Sequence, residues 1–299
     1  MRDPVALSPS TGLRWGLLGV LAFSFTVVLT RVALGGLSPL LIGSGRAVVA
    51  AVLATLALGI TRQHRPRGGQ WARLGVVAGG VVLGFPLLTS FALTTVPASH
   101  GAVVIALLPA ATALAVVVRT GERPARSFWV FALAGAVAAV TFAALGSNGL
   151  GGLHVSDLLL FGAVVAGAVG YAEGGLLSRE LGSWQTISWA LLVAAPVMVV
   201  LAAVAVVQHP PHATTGQWTA FGYLAVVSMF LGFFAWYRGL AIGPMAQVSQ
   251  VQLAQPVMTL CWAALVLGET LTWQTLAGGL AVIACAALAV RARLYGQRT

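Results

Sequence analysis

The chain has 299 residues, of which 59% are hydrophobic and 7% charged, and its mean hydropathy is +0.96. Soluble domains carry about a quarter charged residues to face water, so this composition excludes one and places the chain in a bilayer. Sixteen basic residues, all arginine, against six acids give a net charge of +10. A nucleic-acid binder would need that surplus on one face of a soluble body, which this chain cannot form.

A helix needs about 20 apolar residues to cross a hydrocarbon core of about 30 Å. Ten segments qualify, near 14–34, 40–61, 72–95, 98–119, 127–146, 156–177, 184–207, 217–239, 245–267 and 273–291. The connections between them are short. Pro39, Pro66, Pro124 and the pair Pro210 and Pro211 punctuate them, as helix-ending residues do. The runs do not alternate in polarity as barrel strands would. The first run is too long for a signal-peptide core, and Gly35–Ser38 is a poor cleavage site, so it is expected to stay as the first span. Cys261 and Cys285 lie in apolar runs without metal-ligand spacing and are expected to be buried, inert thiols. The expected fold is an all-α membrane protein with ten transmembrane helices.

With alternating spans, fourteen of the sixteen arginines fall on the side of the N-terminus, and only Arg31 and Arg46 lie toward the other. The positive-inside rule then puts both termini in the cytoplasm.

A shift of 147 residues superposes the two halves. Leu93 falls on Leu240, Pro97 on Pro244, Val104 on Val251, Pro109 on Pro256 and Thr112 on Thr259. Gly121 and Glu122 fall on Gly268 and Glu269, and Trp71 falls on Trp218. Apolar matches are cheap between hydrophobic helices, but prolines, a Gly-Glu pair and a tryptophan in one ungapped register are not. The division is therefore 1–147 and 148–299, two five-helix repeats forming one transport domain. Five is odd, so the second copy enters the membrane inverted, as in many secondary transporters. Glu122 then falls in a cytoplasmic loop and Glu269 in an external one, each just past a helix-ending glycine.

Pro109 and Pro256 each lie about 16 Å into their helices at about 1.5 Å per residue, near the midplane. Proline removes a backbone donor and frees a carbonyl one turn earlier. Such paired interruptions mark either a structural kink or a substrate site and hinge. Thr112 and Thr259 can bond back to freed carbonyls. The ninth segment is also rich in polar groups: Gln247, Ser249, Gln250, Gln252 and Gln255. These project around most of the helix, so it is expected to be central. At their midplane depth Gln252 and Gln255 are expected to face a cavity in preference to bonding neighbouring helices, and Gln247, near the cytoplasmic end, is expected to serve packing.

Three ionisable residues need separate readings. His100 is expected within about one turn of the outer surface, either as an interfacial residue or as a proton sensor. Glu173 is the one acid well inside an apolar run; it serves coupling or gating, or reaches the interface near Arg179 and Glu180. Arg46 either binds a substrate carboxylate or anchors its helix by snorkelling. Phe23, Tyr171 and Trp236 are candidate walls of an amphipathic pocket. The glycines of the sixth helix allow close helix approach. No phosphate-binding loop, zinc motif, nucleophile elbow or Cys-x-x-Cys is present, and the scattered acids do not form an enzyme site.

The opening Trp15-Gly16, Arg31, Pro39 with Arg46, and above all the Pro97, Pro109, Gly121-Glu122 series with its Pro244, Pro256, Gly268-Glu269 counterpart carry a resemblance. Over about residues 10–293 the chain resembles the drug/metabolite transporter superfamily, specifically its ten-helix, two-repeat exporters. It is most similar to the bacterial exporters of aromatic and other neutral amino acids. The resemblance implies a multi-pass protein of the bacterial cytoplasmic membrane, with a central cavity and alternating access. It implies no cofactor and no obligate protein partner; amino acids and the bilayer are the expected partners. The first helix lacks the glutamate of the four-helix multidrug relatives, and at the repeat offset Thr26 stands opposite Glu173. The expected cavity comprises Gln252, Gln255, Ser24, Thr26, Tyr171, Phe23 and Trp236. An organic-cation exporter is the alternative, and a membrane-embedded enzyme or scaffold is more remote.

Overall fold

The computed structural model describes residues 9–121, 125–146, 154–242, 248 and 251–296. Ten helices order the described residues: α1 Ser10–Ala33, α2 Pro39–Ile60, α3 Gln70–Ala92, α4 Ala98–Thr120 and α5 Arg126–Leu145 in the first half. The second half holds α6 Val155–Leu181, α7 Ser183–Gln208, α8 Thr215–Ile242, α9 Ala254–Leu267 and α10 Trp273–Ala292. All but α9 are long and apolar enough to span a membrane. The expected spans hold to within about four residues except the ninth, whose described helix starts later. Arg2, Glu122, Arg123, Pro124, Pro244, Gln247, Ser249, Gln250 and Arg298 lie outside the described residues.

Local chemistry sets the helix ends. Ser38 caps α2, its hydroxyl accepting the Leu41 N–H, with Pro39 in the first turn where no donor is needed. Thr214 and Gln217 form a reciprocal capping box at α8, and His154 and Asp157 form one at α6. Gly121 and Gly268 end α4 and α9 with φ of 71° and 65°, a left-handed conformation that a Cβ would penalise.

The two halves repeat in geometry as well as in sequence. Wide-turn π stretches occur at Ala78–Gly84 in α3 and Leu224–Leu231 in α8, equivalent within one residue at the 147 offset. Helix α4 is interrupted at Ala106 and Leu107, and the chain leading into α9 turns at Gln252 and Leu253, again equivalent within one residue. The bends thus precede Pro109 and Pro256 by two to four residues instead of centring on them. Each proline sits in the first turn of the resumed helix, where its missing N–H costs nothing. Helix α1 is interrupted at Phe25, a break without a proline.

The repeats interlock. Helix α2 packs along α7, and α5 along α10; α1 lies against α8 and α9, while α6 lies against α3 and α4. Every one of these contacts joins one repeat to the other. Two are drawn tight by glycine: a Cβ at Gly80 would stand 2.5 Å from the Ala166 carbonyl oxygen, and one at Gly239 2.7 Å from the Gly16 nitrogen. Such small-residue seams are how membrane helices gain dispersion contact without a water-driven force between them. The outer surface is apolar, with Ile60, Val207, Leu265 and Leu280 exposed, as lipid contact requires. Cys261 is exposed on that surface and Cys285 half-buried, which corrects the expectation that both are buried: lipid, unlike water, does not drive a thiol inward.

Candidate functional site

The interruption of α1 at Phe25 leaves backbone carbonyls that lipid could not satisfy, and neighbouring helices supply the donors. Thr259 of α9 donates to the Ser24 carbonyl at 2.9 Å, and Tyr223 of α8 donates to the Ala22 carbonyl at 3.1 Å. Trp262 donates its indole N–H to the Ser24 hydroxyl at 3.0 Å, and its ring stacks on Phe25 with centroids 4.4 Å apart. Ser24 is therefore a fastening point between α1 and α9 and does not line the cavity as expected.

Just beyond this joint lies the central cavity, between α1, α2, α3, α6, α8 and the start of α9. Phe23, Thr26, Arg46, Tyr171, Phe233 and Gln255 are among its lining residues. Phe23, Tyr171 and Phe233 form an aromatic wall, with centroids 5.0 to 6.2 Å apart. Trp236 stands behind that wall, 5.9 Å from Tyr171 and 1% exposed, so it supports the pocket without lining it. Thr26 and Ser228 share a hydroxyl hydrogen bond of 2.8 Å. A second, smaller cavity adjoins the first through Gln255 and is lined by Pro109, Pro256, Gln252 and Thr259. The two measure about 20 and 10 Å3. One water needs about 10–15 Å3, so an organic molecule enters only when the helices part.

Arg46 is only 1% exposed and faces the central cavity. This removes the snorkelling alternative, which needs the guanidinium to reach the interface. Its Nε, the Gln255 Oε1 and both amide atoms of Gln252 have no hydrogen-bond partner.

The ends of the bundle are closed by different chemistry. At the end where α1 starts, Glu173 of α6 accepts from Arg73 of α3 and from Arg119 Nε of α4, the latter at 2.6 Å. Arg73 also pairs with Glu180. Glu173 thus points away from the central cavity into an ion network, and its partners are Arg73 and Arg119, not Arg179. Two repeats meet in this network. At the opposite end, His100 of α4 and Asp157 of α6 share a 2.7 Å hydrogen bond, both buried. The His154 N–H donates to the other Asp157 oxygen at 2.9 Å. Glu269 accepts the Ala98 and Ser99 N–H groups at 2.8 and 2.9 Å. Expected simply to follow a helix end in water, it instead caps the positive N-terminus of α4. His100 also borders an open vestibule of about 730 Å3 shared with Glu269, which accounts for its position near the surface.

Val27 of α1, Ser228, Met229 and Phe233 of α8, and Val81, Phe85 and Pro86 of α3 complete the central lining. A lone serine and apolar or aromatic residues are common throughout such spans, so nothing local in the sequence marks these positions. The repeat offset did contain the signal: Val81 is the equivalent of Ser228, and Pro86 of Phe233.

The comparisons with known proteins agree with this architecture. The sequence model of the EamA-like transporter family matches twice, at residues 10–144 and 154–291, one match per five helices. The chain is 42% identical over 284 residues to the "Uncharacterized transporter YdeK" of Bacillus subtilis (strain 168), covering 92% of this chain and 96% of that one. A crystal structure of a further protein superposes with a TM-score of 0.65 at 20% identity, over 97% of this chain and 99% of the other, a likeness of fold alone. Two matches spanning nearly the whole length, on a bundle of two interlocked five-helix repeats, decide the matter: the chain is a multi-pass membrane protein and belongs to the EamA-like transporter family of the drug/metabolite transporter superfamily.

Proposed function

We propose that this transporter exports neutral amino acids, aromatic ones included, or similar small metabolites across the bacterial cytoplasmic membrane by alternating access. Both termini are cytoplasmic in this reading, since the end of the bundle where α1 starts collects the arginines and cytoplasmic loops are the positive ones. The observation that carries it is the central cavity. It lies where the repeats meet, with an aromatic wall on one side and Thr26, Ser228 and Gln255 on the other. Aromatic rings accept an apolar side chain, while hydroxyls and an amide bond its polar end. The ion network of Arg73, Arg119, Glu173 and Glu180 is the cytoplasmic closure, and the contacts of His100, Asp157 and Glu269 belong to the external one.

Export of organic cations is the competing reading. Aromatic faces favour a cation, but the charge in this cavity is the cation Arg46, and Glu173 is committed to arginines elsewhere. Reconstitution of the purified protein into liposomes tests the two. Uptake of labelled threonine, methionine and phenylalanine is measured beside a labelled organic cation. Saturable amino-acid flux is expected; cation flux alone would overturn the proposal.

A further inference from the structure

Burying a guanidinium without a counter-charge costs several kcal/mol unless a partner offsets it, so buried charges are found paired. Arg46 departs from this. It is fully enclosed, its Nε has no hydrogen-bond partner, and among the described residues no carboxylate lies within 4.0 Å of it. In the lining of the same cavity stands Gln255, 7% exposed, with its Oε1 likewise unpartnered. Of the hydroxyls in the lining, those of Thr26 and Ser228 bond each other, and that of Tyr171 belongs to the aromatic wall. The cavity therefore presents one cationic donor and one neutral acceptor, each lacking its complement, beside an aromatic wall.

We propose that Arg46 and Gln255 are the two ends of a zwitterion site: Arg46 takes the substrate carboxylate and the Gln255 Oε1 takes its ammonium group. This deepens the amino-acid reading above and rests on it. A guanidinium matches a carboxylate fork-to-fork and holds its charge at neutral pH. An amide oxygen accepts from an ammonium without adding a counter-charge, so the loaded site contains a guanidinium, a carboxylate and an ammonium, and the transported molecule is neutral. The apolar side chain of the substrate then lies toward Phe23, Tyr171 and Phe233. The site selects for both charged ends together, and removing either from the substrate leaves one buried group unmatched.

The test uses full-length protein in liposomes and competition against labelled phenylalanine. The competitors are unlabelled phenylalanine, its carboxamide, its decarboxylated amine and its deaminated carboxylic acid. For the unaltered protein, the carboxamide and the amine should compete at least about tenfold more weakly than phenylalanine, in line with losing a hydrogen bond to a charged group. Arg46→Gln should abolish that preference for the carboxylate, and Arg46→Lys should restore part of it. Gln255→Leu should weaken phenylalanine while leaving the deaminated acid unchanged. Opposite effects of the two variants on the same competitors cannot come from general misfolding; monodispersity in detergent checks that each variant is assembled. Equal competition by phenylalanine and its carboxamide would overturn the assignment while leaving amino-acid transport intact. If no amino acid moves or competes at all, the functional reading fails and the site with it.

Discussion

Replacing Glu173 by Gln is expected to loosen the closure proposed above as cytoplasmic, by an amount that follows from its exposure. The Glu173 side chain is 6% exposed and holds two guanidinium groups, on Arg73 and Arg119, whose side chains are 23% and 51% exposed. Breaking a fully buried pair costs about 3–5 kcal/mol, whereas an exposed pair contributes at most about 1 kcal/mol. The mixed exposure places the loss near about 2 kcal/mol on these two limits. That is about a thirtyfold change in an equilibrium constant. The network has no symmetric copy at the opposite end: the equivalents of Arg73, Arg119, Glu173 and Glu180 are Ala220, Val266, Thr26 and Ala33. Ala33 and Ala220 meet there in an apolar cluster. The substitution weakens this closure and leaves the contacts at the other end intact, so it should move the population toward the form open at the Glu173 end. Val77, one turn beyond Arg73 and fully buried, serves as reporter. In a Cys261→Ser, Cys285→Ala background, Val77→Cys is labelled with an impermeant maleimide applied to the cytoplasmic face. Labelling should accelerate by up to about thirtyfold with Glu173→Gln, the factor that follows from the free-energy loss. An unchanged rate in a variant that still assembles and transports would refute the gate.

Other consequences are testable separately. Gly80→Leu should prevent assembly or lower the melting temperature markedly, because its Cβ would stand 2.5 Å from the Ala166 carbonyl; overpacking of this kind costs about 1–3 kcal/mol, read by thermal unfolding in detergent. Phe233→Ala opens the aromatic wall and should raise the Michaelis constant for phenylalanine more than for threonine, measured by initial-rate uptake; equal changes would argue that the wall does not contact the substrate side chain. Asp157→Ala leaves the buried His100 without its carboxylate partner, which should cost about 1–3 kcal/mol and lower thermal stability more than Glu269→Gln, which keeps an acceptor at the α4 N-terminus.

The bilayer, the number of helices and the repeat were legible in the sequence because each depends on one-dimensional quantities. Span length follows from hydrocarbon thickness, and the repeat follows from the register of Pro97, Pro109 and Gly121 with their equivalents. The polarity of the site was legible in part: Thr26, Arg46, Tyr171, Phe23 and Gln255 converge on the central cavity, and Gln252 on the smaller one beside it. Pairings were not legible. Glu173 meets Arg73 and Arg119 across 100 and 54 residues of chain, and Ser24 meets Trp262 across 238. Such contacts depend on which helices the interlocked repeats bring side by side, and hydropathy does not report this. Nor does depth along a helix distinguish a residue facing the axis from one facing lipid. That rotation placed Trp236 behind the wall and Arg46 inside the cavity. On α8 it is set by Gly239 against Gly16, and on α2 by Gly43 and Gly45, where an added Cβ would meet Leu87 and Phe221, so only the tertiary structure could turn a list of polar residues into a site.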